Sequence, residues 1–144
     1  QVRQYLGKIS KPFLDRIDIC VEAAPVTYTE MQGGGEGESS ARIRERVERA
    51  RGIQLERLRP VGKHFNAQMK RAEIRDYCAL GVREESYMEQ IYERMHLSPR
   101  GCERLLKVAR TIADLEGSPK IKKAHLSEAA GYRSLEEKLW SEKQ

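Results

Sequence analysis

The stretch SPRGCERLLKVARTIADLEG, residues 98–117, carries the clearest folding signal in the sequence. Ser98 is a preferred helix N-cap, and Pro99 falls at the first helical position, where its missing N–H costs nothing. Apolar residues then recur at the three- and four-residue spacing of a single helix face: Cys102, Leu105, Leu106, Ala109, Ile112 and Ala113. Gly117 is a residue type that commonly ends helices. The stretch therefore predicts a helix over residues 99–116 that buries one face.

Weaker patterns of the same kind surround this helix. Ser39 or Ser40 is a suitable N-cap for a helix that Pro60 closes. Its apolar face is predicted to hold Ile43, Val47, Ala50 and Leu58. Further helices are predicted over residues 66–78, with Asn66 as the cap, and over residues 84–96, 124–132 and 134–141. The fold class is therefore mainly α, a bundle of about five or six helices.

A short strand pattern precedes the helices. Ile17, Ile19 and Val21 alternate with Asp18 and Glu22, which is typical of a half-buried strand. A strand this short needs a sheet to join, and no second strand pattern follows it. We therefore expect its sheet partners to lie upstream, outside this chain, and residues 1–38 to be loosely ordered.

Residues 25–38 contain GGGEGE and read as a flexible linker. A phosphate-binding loop is the sharper alternative, but the GK[ST] ending that such loops carry is missing. Three glutamates, Glu30, Glu36 and Glu38, would also repel a polyphosphate. No catalytic triad, nucleophile elbow or apolar run ending in Asp-Glu is present, so these residues alone do not make a complete nucleotide site.

The net charge is +5, from 27 basic and 22 acidic residues. Residues 42–59 hold seven arginines and three glutamates, and residues 98–123 hold seven basic and three acidic residues, so each segment carries +4. Two solvated helix faces explain this excess as well as contacts to nucleic acid do. The candidate DNA-contacting residues are Arg42, Arg46, Arg49, Lys107, Lys120, Lys122 and Lys123.

Other classes of protein are disfavoured. No run of about 18 apolar residues exists, which argues against a membrane span. The three cysteines are distant from one another and the three histidines have no partner at ligand spacing, so neither a disulfide framework nor a metal site is expected. The cysteines are predicted to act as small buried hydrophobic residues, and their free thiols are consistent with a reducing cytoplasm.

Two arginines are candidate anion-binding residues. Arg100 falls in the first turn of the predicted helix, where the helix dipole disfavours a cation but favours an anion beside it. The alternative is an exposed arginine or a surface pair with Glu103. Arg16 lies between Asp15 and Asp18. It either forms a local salt bridge or is held by these carboxylates so that it points towards a neighbouring subunit.

Several blocks, in order along nearly the whole chain, resemble one family. YLGKISKPFLDRID, residues 5–18, is similar to the ISGPLLDRID segment of magnesium-chelatase-like AAA+ ATPases of the ComM/YifB type. GESSARIRERV, residues 37–47, resembles their GESS block, and NAQ, residues 66–68, matches a further short signature. SPR at residues 98–100 and RLLKVARTIADLEG at residues 104–117 are close to the family's lid motif, and residues 125–135 match its usual ending.

The resemblance implies a domain plan and two residue roles. Residues 1–24 would end the AAA+ α/β core, residues 25–38 would be the linker, and residues 39–144 would form the helical lid, with Walker A and B motifs upstream of Gln1. Arg16 matches the arginine finger, which reaches the nucleotide of an adjacent subunit. Arg100 matches sensor 2, the lid arginine that reads nucleotide state.

The resemblance also implies cofactors and partners. ATP and Mg²⁺ would bind the full-length protein, whereas this chain alone would bind neither, would lack ATPase activity and would be a monomer. The full-length subunits would form a hexameric ring in the cytoplasm and act on DNA, in branch migration or helicase work linked to transformation or recombination. Two alternatives stay open: an ATPase subunit of a magnesium-chelatase-type metal-insertion complex, and a helical DNA-binding module without motor activity.

Overall fold

The computed structural model describes Phe13 and residues 16–21, 23–32 and 37–133. The described residues form helices and no strand, which confirms the mainly α fold class. The α-helices are α1 Tyr28–Gln32, α2 Ser40–Leu58, α3 Arg71–Tyr77, α4 Val82–Arg94, α5 Pro99–Glu116 and α6 Lys123–Gly131, with 3₁₀ turns at Arg59–Val61 and Asn66–Gln68. The predicted helix over residues 134–141 and most of the block at residues 5–18 lie outside the described residues.

Helix α5 is the centre of the bundle and contacts α2, α3, α6 and the 66–68 turn. The Ser98 side chain accepts a hydrogen bond from the Gly101 amide at 3.0 Å, and Gly117 ends the helix at φ 74°, so the predicted boundaries are confirmed. Leu105, Ala109 and Ala113 are at most 1% exposed. Alanine at two of these three positions lets neighbouring helices approach the α5 backbone closely.

The hydrophobic core fills the space between α5 and its neighbours. Its aliphatic and thioether side chains come from every helix of the bundle, α2 to α6, and from the connections between them. The buried members outside α5 are Leu58, Met69, Ile74, Cys78, Met88, Ile91, Leu97, Ile121, Leu126, Ala129 and Ala130.

Helix α2 buries only the second half of its predicted apolar face. Ala50 and Leu58 are buried, whereas Ile43 and Val47 are 42% and 43% exposed. Residues 40–49 are all exposed, so this half of α2 projects beyond the bundle. The four apolar residues therefore lie on one face of α2 as predicted, but only the second half of that face packs against described residues.

The helix predicted to begin at Asn66 begins later. Asn66 lies in a 3₁₀ turn, and α3 starts at Arg71 with Lys70 as its N-cap. Asn66 is not free to cap a helix because its amide donates to Gln54 Oε1 at 3.0 Å and its side chain enters a buried network described below. Glu73 instead accepts from the Lys70 amide at 2.6 Å and satisfies the start of α3.

Residues 16–21 form no strand within the part of the chain that the structure describes. The Cys20 amide donates to the Tyr132 carbonyl at 2.9 Å, so the segment lies against the end of α6. The alternating pattern therefore corresponds to an irregular segment that lies against the helical bundle. Within the predicted linker, the structure adds the short helix α1, where the Gln32 side chain donates to the Tyr28 hydroxyl at 2.8 Å.

Candidate functional site

Arg100 projects into solvent from the first turn of α5. Pro99 has no N–H, the Gly101 amide donates to Ser98 Oγ, and the Cys102 amide donates to the Ser98 carbonyl at 2.9 Å. The Arg100 amide and guanidinium are thus the donors that this turn offers to an outside group. Among described residues Arg100 has no ion-pair partner, and Glu103 pairs instead with Arg71 at 3.9 Å. An anion would meet chiefly the guanidinium and only one backbone N–H.

A groove of about 790 Å³ runs from Arg100 along α5. Asp18, Ile19 and Val21 line one wall of the groove, and the end of α6 closes it. The floor is apolar, whereas both rims carry charged groups. The α5 residues that line it are Arg100, Glu103, Arg104, Lys107, Val108, Thr111, Ile112 and Leu115. An apolar floor with a cation at the rim suits a ligand that has both a flat apolar part and a negative charge.

The other charged groups of the groove are already engaged. Arg104 pairs with Asp18 across the groove. Lys107 Nζ donates to the Ala67 carbonyl at 3.2 Å. Glu128 accepts from the Tyr132 hydroxyl at 3.1 Å, and this bond raises the pKa of Tyr132. Of the cations that line the described groove, Arg100 alone has no partner.

Arg16 is exposed and lies outside the groove lining. Its backbone amide donates to the Phe13 carbonyl at 3.0 Å, which forms a turn. The side chain of Asp18 pairs with Arg104 and not with Arg16. The local salt bridge between Arg16 and Asp18 is therefore absent, and the Arg16 guanidinium has no ion-pair partner among the described residues.

The three candidate DNA-contacting arginines of α2 lie on its projecting half. Arg46 makes a bidentate pair with Glu38 at 2.7 and 2.9 Å, and this hydrogen bond raises the pKa of Arg46. Arg49 pairs with Glu45 at 3.0 Å. Within the described chain Arg42 has no side-chain partner. The spacing of four and three residues places all three on one exposed face.

The four candidate lysines differ in how free their ammonium groups are to contact DNA. Lys107 is the groove lysine described above. Lys122 donates to Glu116 at 3.1 Å, and Glu116 also contacts His125; these bonds lower the pKa of Glu116, with His125 as the larger cause. Lys123 Nζ lies 4.4 Å from the centre of the Tyr87 ring, a cation–π distance. The side chain of Lys120 is exposed and makes no contact of this kind with a described residue.

A buried polar network beneath the groove is the feature that sequence reasoning missed. Asp114 is fully buried and accepts two bonds of 2.6 Å from Arg57 of α2. It also accepts from Arg110 Nε at 3.1 Å and from Asn66 Nδ2 at 2.9 Å. Asn66 further accepts from Arg57 and donates to Thr111 Oγ1, both at 2.9 Å.

This network fixes α5 to the helices around it. Arg110 is 3% exposed and also donates to the Ser118 and Pro119 carbonyls at 2.6 and 3.1 Å. Burial lowers the pKa of Arg110, and Asp114 opposes that effect. One carboxylate pairs with two guanidiniums, so the cluster keeps a net charge of +1, and the Ser118 and Pro119 carbonyls accept further N–H groups of Arg110. The signal in the sequence was an aspartate beside an apolar stripe, together with the NAQ block.

The cysteines behave largely as predicted. Cys78 is 3% exposed, and burial raises its pKa to about 11. Burial, followed by Glu103, also raises the pKa of the half-buried Cys102. Cys20 is half-buried as well. Within the described ranges, no group of three or more His, Cys, Asp or Glu side chains is placed to share a metal ion.

The fold and the groove together define an all-helical domain that holds an exposed arginine on a rigid central helix. Residues 37–133 match the family model described as magnesium chelatase, subunit ChlI C-terminal. The chain therefore belongs to the magnesium chelatase ChlI C-terminal family, and the resemblance to magnesium-chelatase-like AAA+ proteins is confirmed. None of the described helices has the length and apolar character that crossing a membrane requires.

Individual relatives agree with this assignment. Over 136 residues the chain is 41% identical to the competence protein ComM of Haemophilus influenzae, covering 94% of this chain and 26% of ComM. Over 140 residues it is 39% identical to the YifB protein of Salmonella typhimurium, covering 96% of this chain and 27% of YifB. Over 115 residues it is 35% identical to Rv2897c of Mycobacterium tuberculosis, covering 80% and 23%. The chain spans about a quarter of the length of these relatives.

Proposed function

We propose that the chain is the nucleotide-sensing lid part of an ATP-dependent AAA+ motor of the ComM type, which works on DNA in the cytoplasm as a hexameric ring. The observation that carries the proposal is Arg100. The resemblance matches Arg100 to the sensor 2 position, and in the structure Arg100 is exposed at the groove rim with no described carboxylate to neutralise it. An arginine in that state is available to bind a phosphate.

The buried network supports a sensing role for Arg100. A sensor transmits nucleotide state only if the helix that carries it moves with the rest of the domain. Asp114 ties α5 to α2 through Arg57, and Arg110 ties it to the loop before α6. A phosphate that binds or releases Arg100 would therefore reposition the bundle as a unit rather than bend α5 alone.

Arg16 is proposed as the arginine finger that reaches the nucleotide of an adjacent subunit. Its exposure, and the absence of a described ion pair, support this role. An arginine supplied in this way stabilises charge that develops during phosphoryl transfer and contributes roughly 10³–10⁵ in rate in related systems.

The described residues fit the phosphate part of the nucleotide better than its metal. Arg16 and Arg100 are donors to phosphate oxygens, whereas the acidic groups of the groove are engaged with Arg71, Arg104 and Tyr132. Mg²⁺ bound with ATP would neutralise charge on the β- and γ-phosphates. The ligands for it are proposed to come from parts of the full-length protein other than the described groove.

The test uses the full-length protein that contains this chain. Arg16→Ala should lower ATP turnover by about 10³-fold or more while nucleotide binding is retained, because the finger acts on a neighbour's nucleotide. Arg100→Ala should weaken nucleotide affinity. Arg75→Ala, which removes an exposed arginine of α3, is the matched control and should leave turnover and affinity unchanged. Normal turnover in Arg16→Ala would reject the motor assignment.

A second candidate, an ATPase subunit of a metal-insertion complex, is favoured by the description of the matched family. The same purified protein distinguishes the two. ATP turnover that rises when duplex or branched DNA is added supports the motor. ATP turnover that does not change when DNA is added, together with binding to a tetrapyrrole-carrying partner protein, supports metal insertion.

A further inference from the structure

Polar contacts hold residues 17–20 on the described helical bundle. Asp18 pairs with Arg104 of α5. The Cys20 amide donates to the Tyr132 carbonyl at 2.9 Å, and Arg133 Nη1 lies 3.5 Å from the Ile17 carbonyl. The segment is thus attached both to the groove helix and to the end of α6.

Apolar burial contributes little to this attachment. Ile19 and Val21 face the groove but remain 51% and 71% exposed. The Arg104 side chain, in contrast, is only 26% exposed, so its charge is partly shielded from water. The Asp18–Arg104 pair is therefore the contact whose loss would most directly release the segment from α5.

The two ends of this ion pair lie next to the two candidate nucleotide-binding arginines. Arg16 precedes Asp18 by two residues, a span of at most about 7 Å of chain. Arg100 precedes Arg104 by four residues on α5, a rise of about 6 Å. A displacement of the first turns of α5 therefore reaches Arg16 through one ion pair and a short stretch of backbone.

We propose that Asp18 and Arg104 are positioning residues that form a latch, and that this latch couples the sensor helix to the arginine finger. The coupling rests on the proposed function, whereas the latch itself does not. When α5 moves in response to nucleotide at Arg100, Asp18 follows Arg104 and carries Arg16 towards or away from the neighbouring subunit. Neither latch residue contacts nucleotide itself.

The strength of the pair suits a reversible device. Ion pairs that are partly exposed contribute modestly to stability. A modest difference in ligand binding between the closed and open arrangements is therefore enough to open or close a contact of this strength. A pair whose carboxylate is fully buried, such as Arg57 with Asp114, would not open in this way.

The first experiment measures amide hydrogen exchange of Cys20 in this chain. Arg104→Gln and Asp18→Asn should each speed exchange of that amide about two- to fivefold, because release of the pair frees the segment. The double variant Asp18→Arg with Arg104→Glu should restore slow exchange. Arg71→Gln, which removes an exposed arginine paired with the adjacent Glu103, should have no effect. Unchanged exchange of the Ala109 amide in every variant shows that the bundle is intact.

The latch is rejected if exchange at Cys20 is unchanged in both single variants, or if the reversed pair fails to slow it.

A second experiment tests the coupling by ATP turnover of the full-length protein. Arg104→Gln should lower kcat about two- to fivefold with KM for ATP unchanged, and the reversed pair should restore kcat. A latch present in the exchange experiment with kcat unaltered in Arg104→Gln would reject the coupling. Arg16→Ala separately decides the proposed function.

Discussion

Asp114 shows how much a single residue determines in this bundle. Its position beside the apolar stripe of α5 gives no indication that it is fully buried, yet it binds Arg57, Arg110 and Asn66. Gln54 is similar: it is polar, yet it is 5% exposed and its side chain accepts a hydrogen bond from the Asn66 backbone amide. Both residues are buried because each has a specific polar partner from a distant part of the chain.

Asp114→Asn should destabilise the bundle by roughly 3–5 kcal/mol, because two neighbouring guanidiniums lose the buried carboxylate that they share. Urea unfolding followed by circular dichroism measures the loss. The control is Asp76→Asn, which alters an exposed pair with Arg75 and should change stability by less than about 0.5 kcal/mol. A loss below about 1 kcal/mol for Asp114→Asn would show that the network is not structurally important.

At the scale of elements, local patterns predicted α5 and the existence of its neighbours. Ser98, Pro99 and Gly117 are local signals, and the structure places each as predicted. The predicted start of α3 was wrong because the Asn66 side chain belongs to a tertiary hydrogen-bond network, which no local sequence pattern reveals. Residues 17–21 were predicted to be a strand because their apolar and polar residues alternate. This pattern does not show what the segment packs against. The groove depends on that packing, so only its α5 wall could be anticipated.

Two glycines offer a matched test of the helix ends and interiors. Gly117 has φ 74°, which an alanine adopts at a cost of about 1 kcal/mol, so Gly117→Ala should destabilise by that amount. Gly52 lies inside α2 with no atom near its added methyl, so Gly52→Ala should stabilise by about 0.5–1 kcal/mol. The same urea titration reports both. Changes of the same sign would contradict the assigned backbone conformations.

At the scale of the whole molecule, the net charge of +5 does not show where positive charge is available to a partner. Arg57 and Arg110 form ion pairs with Asp114, and Arg104 forms an ion pair with Asp18. In the described part of the chain, the projecting half of α2 carries three of the seven proposed DNA-contacting residues, Arg42, Arg46 and Arg49, on one exposed face. Two of its arginines, Arg46 and Arg49, are paired with exposed glutamates, and such pairs exchange readily for phosphate because they are weak.

The projecting face should therefore bind duplex DNA in a salt-dependent manner. Replacing Arg42, Arg46 and Arg49 together with glutamine should lower the slope of log affinity against log salt by about 2–3, because each phosphate contact contributes about 0.9. The control replaces Arg75, Arg83 and Arg94 of α3 and α4 with glutamine, which removes the same net charge from another surface. Fluorescence anisotropy between 50 and 200 mM salt, the range over which such contacts weaken strongly, measures both. Equal losses in the two triple variants would assign the binding to net charge, and no binding at the lowest salt would reject DNA as a partner of this chain.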